Sequence, residues 1–108
     1  MSVPIYKGEI YWCSLPHYSN SVLKKDRPCV IISNNKANEG SYTVQVCPIT
    51  TNSKKENIPC HVKTRYGMVH LENVYTIDKE QVKDLKGRLN WQEMRQLDTS
   101  ILIQFGII

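Results

Sequence analysis

Two stretches of the chain concentrate side chains that hold phosphate. Lys24, Lys25 and Arg27 lie at the end of one polar segment, and Thr50, Thr51, Asn52, Lys54 and Lys55 open another. Ammonium and guanidinium groups neutralise phosphates, and the hydroxyls and amide between them can donate to phosphate oxygens. Tyr18 and Tyr66 offer rings on which bases could stack. His17, in the first of these segments, could bring an imidazole to the same site. If the two stretches meet in space, they make a concave basic patch suited to single-stranded nucleic acid. Composition alone favours a plainer reading, a solvated surface that carries lysines. The formal net charge of +4 and a pI near 8.9 are compatible with a polyanionic partner without requiring one.

Whether the stretches meet depends on the elements between them. Residues 8–14 are rich in β-formers and read as a first strand, followed by a polar loop over 15–26. Residues 27–33 carry the run Cys29-Val30-Ile31-Ile32, which suits a strand buried on both faces. Asn34, Asn35, Asn38 and Gly40 read as turn chemistry. Residues 41–49 alternate, with Tyr42, Val44 and Val46 on one face and Thr43, Gln45 and Cys47 on the other. A polar loop covers 50–57. Strands at 58–63 and 68–72 follow, joined through Tyr66-Gly67, with a one-turn helix after Asp78 and a break at Gly87. Asn90 reads as a helix N-cap answered by Glu93, and Met94, Leu97, Ile101 and Phe105 recur at helical spacing. That apolar stripe is core for packing on a sheet, not a ligand site. If the first four strands run antiparallel in order, loops 15–26 and 50–57 fall at one end of the sheet and the segment 34–40 at the other. The pattern predicts one domain over 1–108, a small, mainly antiparallel barrel or curled sheet with helices at one side.

The cysteines are Cys13, Cys29, Cys47 and Cys60. None forms a C-x-x-C pair, and three sit in apolar runs, so they read as reduced, buried small hydrophobes. Zinc held by Cys60 and His61 is disfavoured, because neighbours on a strand point to opposite faces. The expectation is therefore no metal and no cofactor. The first residues lack a basic segment followed by an apolar one, and no apolar run is long enough to span a bilayer. A cytoplasmic location with no membrane partner follows as the expectation. With 108 residues the core is thin, and dimerisation would bury more apolar surface.

Several motifs stand in a recognisable order. They are Gly8-Glu-Ile-Tyr-Trp12, Arg27-Pro-Cys-Val-Ile-Ile-Ser-Asn34, Cys47-Pro-Ile-Thr50 and Tyr75-Thr-Ile-Asp78, followed by Gly87-Arg-Leu89 and the last helix. Each is weak alone; the ordered set, spanning nearly the whole chain, resembles the MazF/PemK/Kid toxins of type II toxin–antitoxin systems. The resemblance implies an SH3-like small barrel with a C-terminal helix, similar to MazF and CcdB, and a homodimer neutralised by a cognate acidic antitoxin. It also implies a sequence-specific, metal-independent endoribonuclease that leaves 2′,3′-cyclic phosphate and 5′-hydroxyl ends. The RNA's own 2′-OH is then the nucleophile, so DNA is spared.

On this resemblance Arg27 and Thr50 match the family's catalytic arginine and threonine. A guanidinium grips two phosphate oxygens at once, and a threonine hydroxyl can donate to a third. His70 and Glu72 occupy the places of a basic residue and an acid that lie two apart in the Kid branch, on one face of a strand. Either they manage protons or they are a solvent-facing pair on an edge. Lys24, Lys25, Thr51, Asn52, Lys54, Lys55, Tyr18 and His17 are the corresponding RNA-binding candidates. The chain departs from the pattern in its first loop, where Asn20-Ser-Val-Leu23 replaces the usual G-S-E-Q. It departs again at Tyr75, where an arginine is usual. Two alternatives stay open: a non-enzymatic gyrase poison similar to CcdB, and a catalytically silent RNA-binding regulator.

Overall fold

The computed structural model describes residues 3–16, 26–51 and 60–108. Among them, strands β1 (Glu9–Cys13), β2 (Arg27–Ile31) and β3 (Thr43–Thr50) form an antiparallel meander. β4 (His61–Thr64) and β5 (Gly67–His70) make a hairpin, β6 (Tyr75–Asp78) leads into a one-turn helix at Lys79–Gln81, and β7 (Val82–Arg88) precedes the last helix. The sheet order is β4-β5-β3-β2-β1-β7, with β6 also on β3. β3 therefore carries two neighbours on its far edge, β6 along residues 43–46 and β5 at 49–50. This splits the sheet and curls it, as expected for a small barrel-like fold.

The double burial read from Cys29–Ile32 is explained by two apolar clusters. Val30 and Ile32 join Ile10, Cys47, Ile49, Val62, Val69 and Leu71 on one face, under Leu97 of the C-terminal helix. Cys29 and Ile31 join Tyr11, Cys13, Val44, Val46 and Ile77 on the other.

Four expectations need correcting. Residues 35–40 form a short helix, α1 (Asn35–Gly40), not a turn: the Asn34 side chain accepts the Ala37 N–H at 2.8 Å, and Asn38 is buried, donating to the Ser33 carbonyl at 2.9 Å. Asparagines that suggest a turn thus serve as a cap and an anchor. Tyr42 is 91% exposed and lies just before β3, outside the core face. β4 pairs with β5 and not with β3, because its hairpin returns the chain to β3 through β5. Gly87 does not break the chain. It sits inside β7 opposite Ile10, where the Tyr66 phenol packs so closely that a Cβ would meet its oxygen at 2.2 Å.

The C-terminal helix α2 (Trp91–Gln104) starts where its signals place it. Asn90 Oδ1 accepts the Glu93 N–H at 2.8 Å, and Glu93 Oε1 accepts the Asn90 N–H at 2.8 Å. Glu93 also accepts Arg65 N–H at 2.8 Å and the Arg65 guanidinium at 3.2 Å, which ties the helix start to the β4–β5 turn. Leu97 is fully buried, with Met94 and Ile101 beside it, but Phe105 falls past the helix and is 60% exposed.

Candidate active site

Strand register assembles the candidate residues. Cys13 pairs with Arg27 across β1–β2, and Cys29 pairs with Pro48 across β2–β3. Continuing that register two residues puts Arg27 beside Thr50. Thr50 in turn pairs with Met68 on β5, and Met68 with Lys63 on β4. Residues opposite one another share a face, so Arg27, Thr50, Met68 and Lys63 form one transverse row at this end of the sheet. Loops 15–26 and 50–57 therefore leave the sheet at the same end, as the meander implies. Arg27 and Thr51 are exposed and Thr50 is half-buried. His17, Tyr18, Lys24, Lys25, Asn52, Lys54 and Lys55 lie outside the described residues.

Gly67 holds this row together. Its φ is +129°, and a Cβ there would lie 2.6 Å from the Thr50 carbonyl oxygen. Only a residue without a side chain lets β5 approach Thr50 so closely.

The next row is anchored by His70, which pairs with His61. Their rings stack with centroids 4.0 Å apart and planes 14° from parallel. Glu72, just past β5, binds both: its Oε1 lies 2.9 Å from His61 Nε2 and 3.2 Å from His70 Nδ1. The Cys60 thiol donates to Glu72 Oε2 at 3.0 Å. Burial alone would raise the Glu72 carboxyl, but the hydrogen bonds from Cys60 and His61 outweigh it and hold the carboxyl below its usual range. Burial first, then the facing Glu72 charge, pushes the Cys60 thiol up. His70 Nε2 is buried with no hydrogen-bond partner among the described residues. At strand spacings of about 4.8 Å and a rise of about 3.3 Å per residue, two strands and two residues separate the Cα atoms of Arg27 and His70 by roughly 12 Å.

His70 and Glu72 are in contact, although Glu72 lies in the turn after β5 and not on the strand as expected, and His61 joins them as a third member. A signal for His61 exists. The hairpin turns through Arg65-Tyr66, so Thr64 faces Gly67 and His61 faces His70; placing the turn one residue later at Tyr66-Gly67 hides this pairing. Tyr66 is not a base-stacking platform, since its ring packs on the core and against Gly87. Cys60 and His61 do not diverge as strand neighbours would. Cys60 lies in the turn before β4, so the alternation rule does not separate it from His61.

The sequence model of the PemK-like, MazF-like toxins of type II toxin–antitoxin systems matches residues 6–105. The chain is 32% identical to a protein named endoribonuclease MazF from Staphylococcus saprophyticus, over 94% of this chain and 91% of that one. Its fold superposes on a mycobacterial endoribonuclease solved with its cognate antitoxin, with a TM-score of 0.81, 25% identity and coverage of 96% and 97%. MazF from Deinococcus radiodurans shares the fold at a TM-score of 0.78 and 15% identity, over 97% and 99% of the two chains. With a family match running from before β1 to the end of α2, this chain belongs to the PemK/MazF family of type II toxins.

Proposed function

We propose that this chain is a toxin that cleaves single-stranded RNA without a metal ion; its relative from Staphylococcus saprophyticus is named an endoribonuclease. The observation in this chain that carries the reading is the register setting Arg27 and Thr50 side by side at the loop-bearing end of the sheet. There the RNA 2′-oxygen attacks the adjacent phosphorus and gives up its proton, and the bond from phosphorus to the 5′-oxygen breaks as that oxygen is protonated. The products are a 2′,3′-cyclic phosphate and a 5′-hydroxyl. Arg27 grips the non-bridging oxygens and tightens as charge builds on them, while Thr50 donates a hydrogen bond to the same phosphorane. Arginine is a poor base, because its pKa lies above about 12. Proton transfer therefore falls to His70, oriented by Glu72 and by the stacked His61. Thr51 and the cationic residues of the two loops, Lys24, Lys25, Lys54 and Lys55, with Asn52, Tyr18 and His17, hold the flanking RNA.

The partners in this reading are single-stranded RNA, a second copy of the chain and an acidic antitoxin, all in the cytoplasm. Among the described residues no helix is long and apolar enough to cross a membrane. Incubating the purified protein in EDTA with several unrelated single-stranded RNAs tests the activity on a gel. Fragments ending in cyclic phosphate are the expected result; intact RNA in every case would remove the ribonuclease reading.

A further inference from the structure

Cys60, His61 and Glu72 bring a thiol, an imidazole and a carboxylate together, with their ligand atoms all within 4.8 Å of one another. We propose that these three residues form a site for one borderline-soft divalent cation, with Zn²⁺ the best match. Sulfur, nitrogen and oxygen donors in one cluster suit zinc and not the hard cations, which take oxygen alone.

The geometry favours a single ion. Ligands bonded at about 2.0–2.3 Å to one tetrahedral zinc sit roughly 3.3–3.6 Å from each other. Here the Cys60–Glu72 contact is 3.0 Å and the His61–Glu72 contacts are 2.9 and 3.1 Å. These are the distances of shared protons. Zinc replaces the Cys60 proton, releasing it to solvent; the contacts to Glu72 open by a few tenths of an ångström, and the Cys60–His61 pair, within 4.8 Å, closes toward the tetrahedral spacing. The His61 side chain is only 7% exposed, which fixes one donor, while Glu72 at 39% leaves a way in from solvent.

His70 is not a ligand of the same ion. An ion in the plane of the His61 ring lies about one ring spacing, 4.0 Å, off the plane of the nearly parallel His70 ring. An imidazole binds metal in its own plane. His70 lies outside the ligand set, with its Nδ1 3.2 Å from Glu72 Oε1. Three protein ligands leave the fourth position to water. Resting on the ribonuclease reading above, the bound ion is an inhibitor, because it takes the Glu72 carboxylate that orients His70.

Cobalt(II) is the probe, since it fits zinc sites and its thiolate bond gives a near-ultraviolet charge-transfer band. Titrating the full chain should develop that band with one equivalent of Co²⁺, and one equivalent of Zn²⁺ should abolish it. Cys60→Ser, a one-atom change at the edge of the core, should remove the band. His61→Ala and Glu72→Gln should weaken binding by at least the roughly 10–100-fold seen when even an outer partner of a metal ligand is lost. His70→Ala should keep the band. Circular dichroism verifies that each variant folds. No band with wild type, or an undiminished band in Cys60→Ser, overturns the site. Zn²⁺ should also slow RNA cleavage by wild type and spare Cys60→Ser; cleavage unchanged by bound Zn²⁺ overturns the inhibitory role. If wild type cleaves no RNA under any condition, the ribonuclease reading fails while the cobalt titration still decides the metal site.

Discussion

Arg27 and Thr50 are far apart in sequence and come together only through the register of β2 on β3. If they hold the phosphorane as proposed, Arg27→Ala and Thr50→Ala should each lower the cleavage rate by about 10²–10³, the usual cost of one oxyanion donor. Arg27→Lys should recover little, because an ammonium cannot make the paired contact of a guanidinium. Single-turnover rates at saturating RNA measure this directly, and wild-type rates for either alanine variant would remove that residue from the chemistry. Gly67→Ala should act on the same step from behind: a Cβ 2.6 Å from the Thr50 carbonyl must push β3 and β5 apart. Lower cleavage with the far-ultraviolet spectrum unchanged is the expected result. At this scale the placement of Arg27 beside Thr50 was legible, because each sits in a local motif, Arg27 before Pro28 and Thr50 after Pro48. His61 was not, because its role exists only through a hairpin register that moves with a one-residue shift in the turn. Tyr66 misled for a related reason, since nothing local says that a tyrosine beside a turn will fold back onto Gly87.

The elements divide in the same way. α2 could be read from its first residue because its capping box and apolar spacing are both local. α1 and β7 could not. The Asn-rich segment around α1 carries the same residues in a turn as in a capped helix, and Gly87 inside β7 answers a tertiary contact that has no local signature. The α2 capping box has a measurable consequence. Burial would raise the Glu93 carboxyl, but the hydrogen bonds from Asn90 and Arg65 outweigh it and hold the carboxyl below its usual range. A group lowered on folding stabilises the native state at pH above its unfolded pKa, and that contribution disappears as pH falls through the folded value. Glu93→Gln should therefore cost roughly 1.5–3 kcal/mol at neutral pH, as for hydrogen bonds to a charged group. The gap to wild type should shrink below about pH 4, once the wild-type carboxyl takes up its proton. Urea unfolding at several pH values checks this; a gap independent of pH would mean that Glu93 acts by packing and not by charge.

At the scale of the whole molecule, apolar side chains remain uncovered, among them Trp91, Phe105, Ile107 and Ile108, at 60–70% exposure. A short chain with this much apolar surface gains from pairing with itself, and sedimentation should show a dimer at micromolar concentration, as the proposed assembly requires. The proposed antitoxin contact has a second component. The segments that carry Lys24, Lys25, Lys54 and Lys55 in sequence adjoin the strand ends at Arg27 and Thr50. An acidic, partly disordered antitoxin segment that folds against this end would meet the same cations as RNA phosphates. Attraction of that kind is screened as salt rises, with a Debye length near 10 Å at 0.1 M falling to about 3 Å at 1 M. Inhibition of cleavage should therefore weaken with salt but not vanish, because the apolar part of the contact is not screened. Replacing Lys24, Lys25, Lys54 and Lys55 together by alanine should weaken RNA binding and antitoxin binding in parallel and flatten both salt dependences. Titrations of antitoxin and of a non-cleavable RNA analogue, run on wild type and the quadruple variant across a salt series, measure this. If RNA affinity fell while antitoxin affinity held at every salt concentration, the two could not share this end of the sheet. Inhibition would then have to reach the site from elsewhere on the molecule, through the pairing of protomers and not through competition for cations.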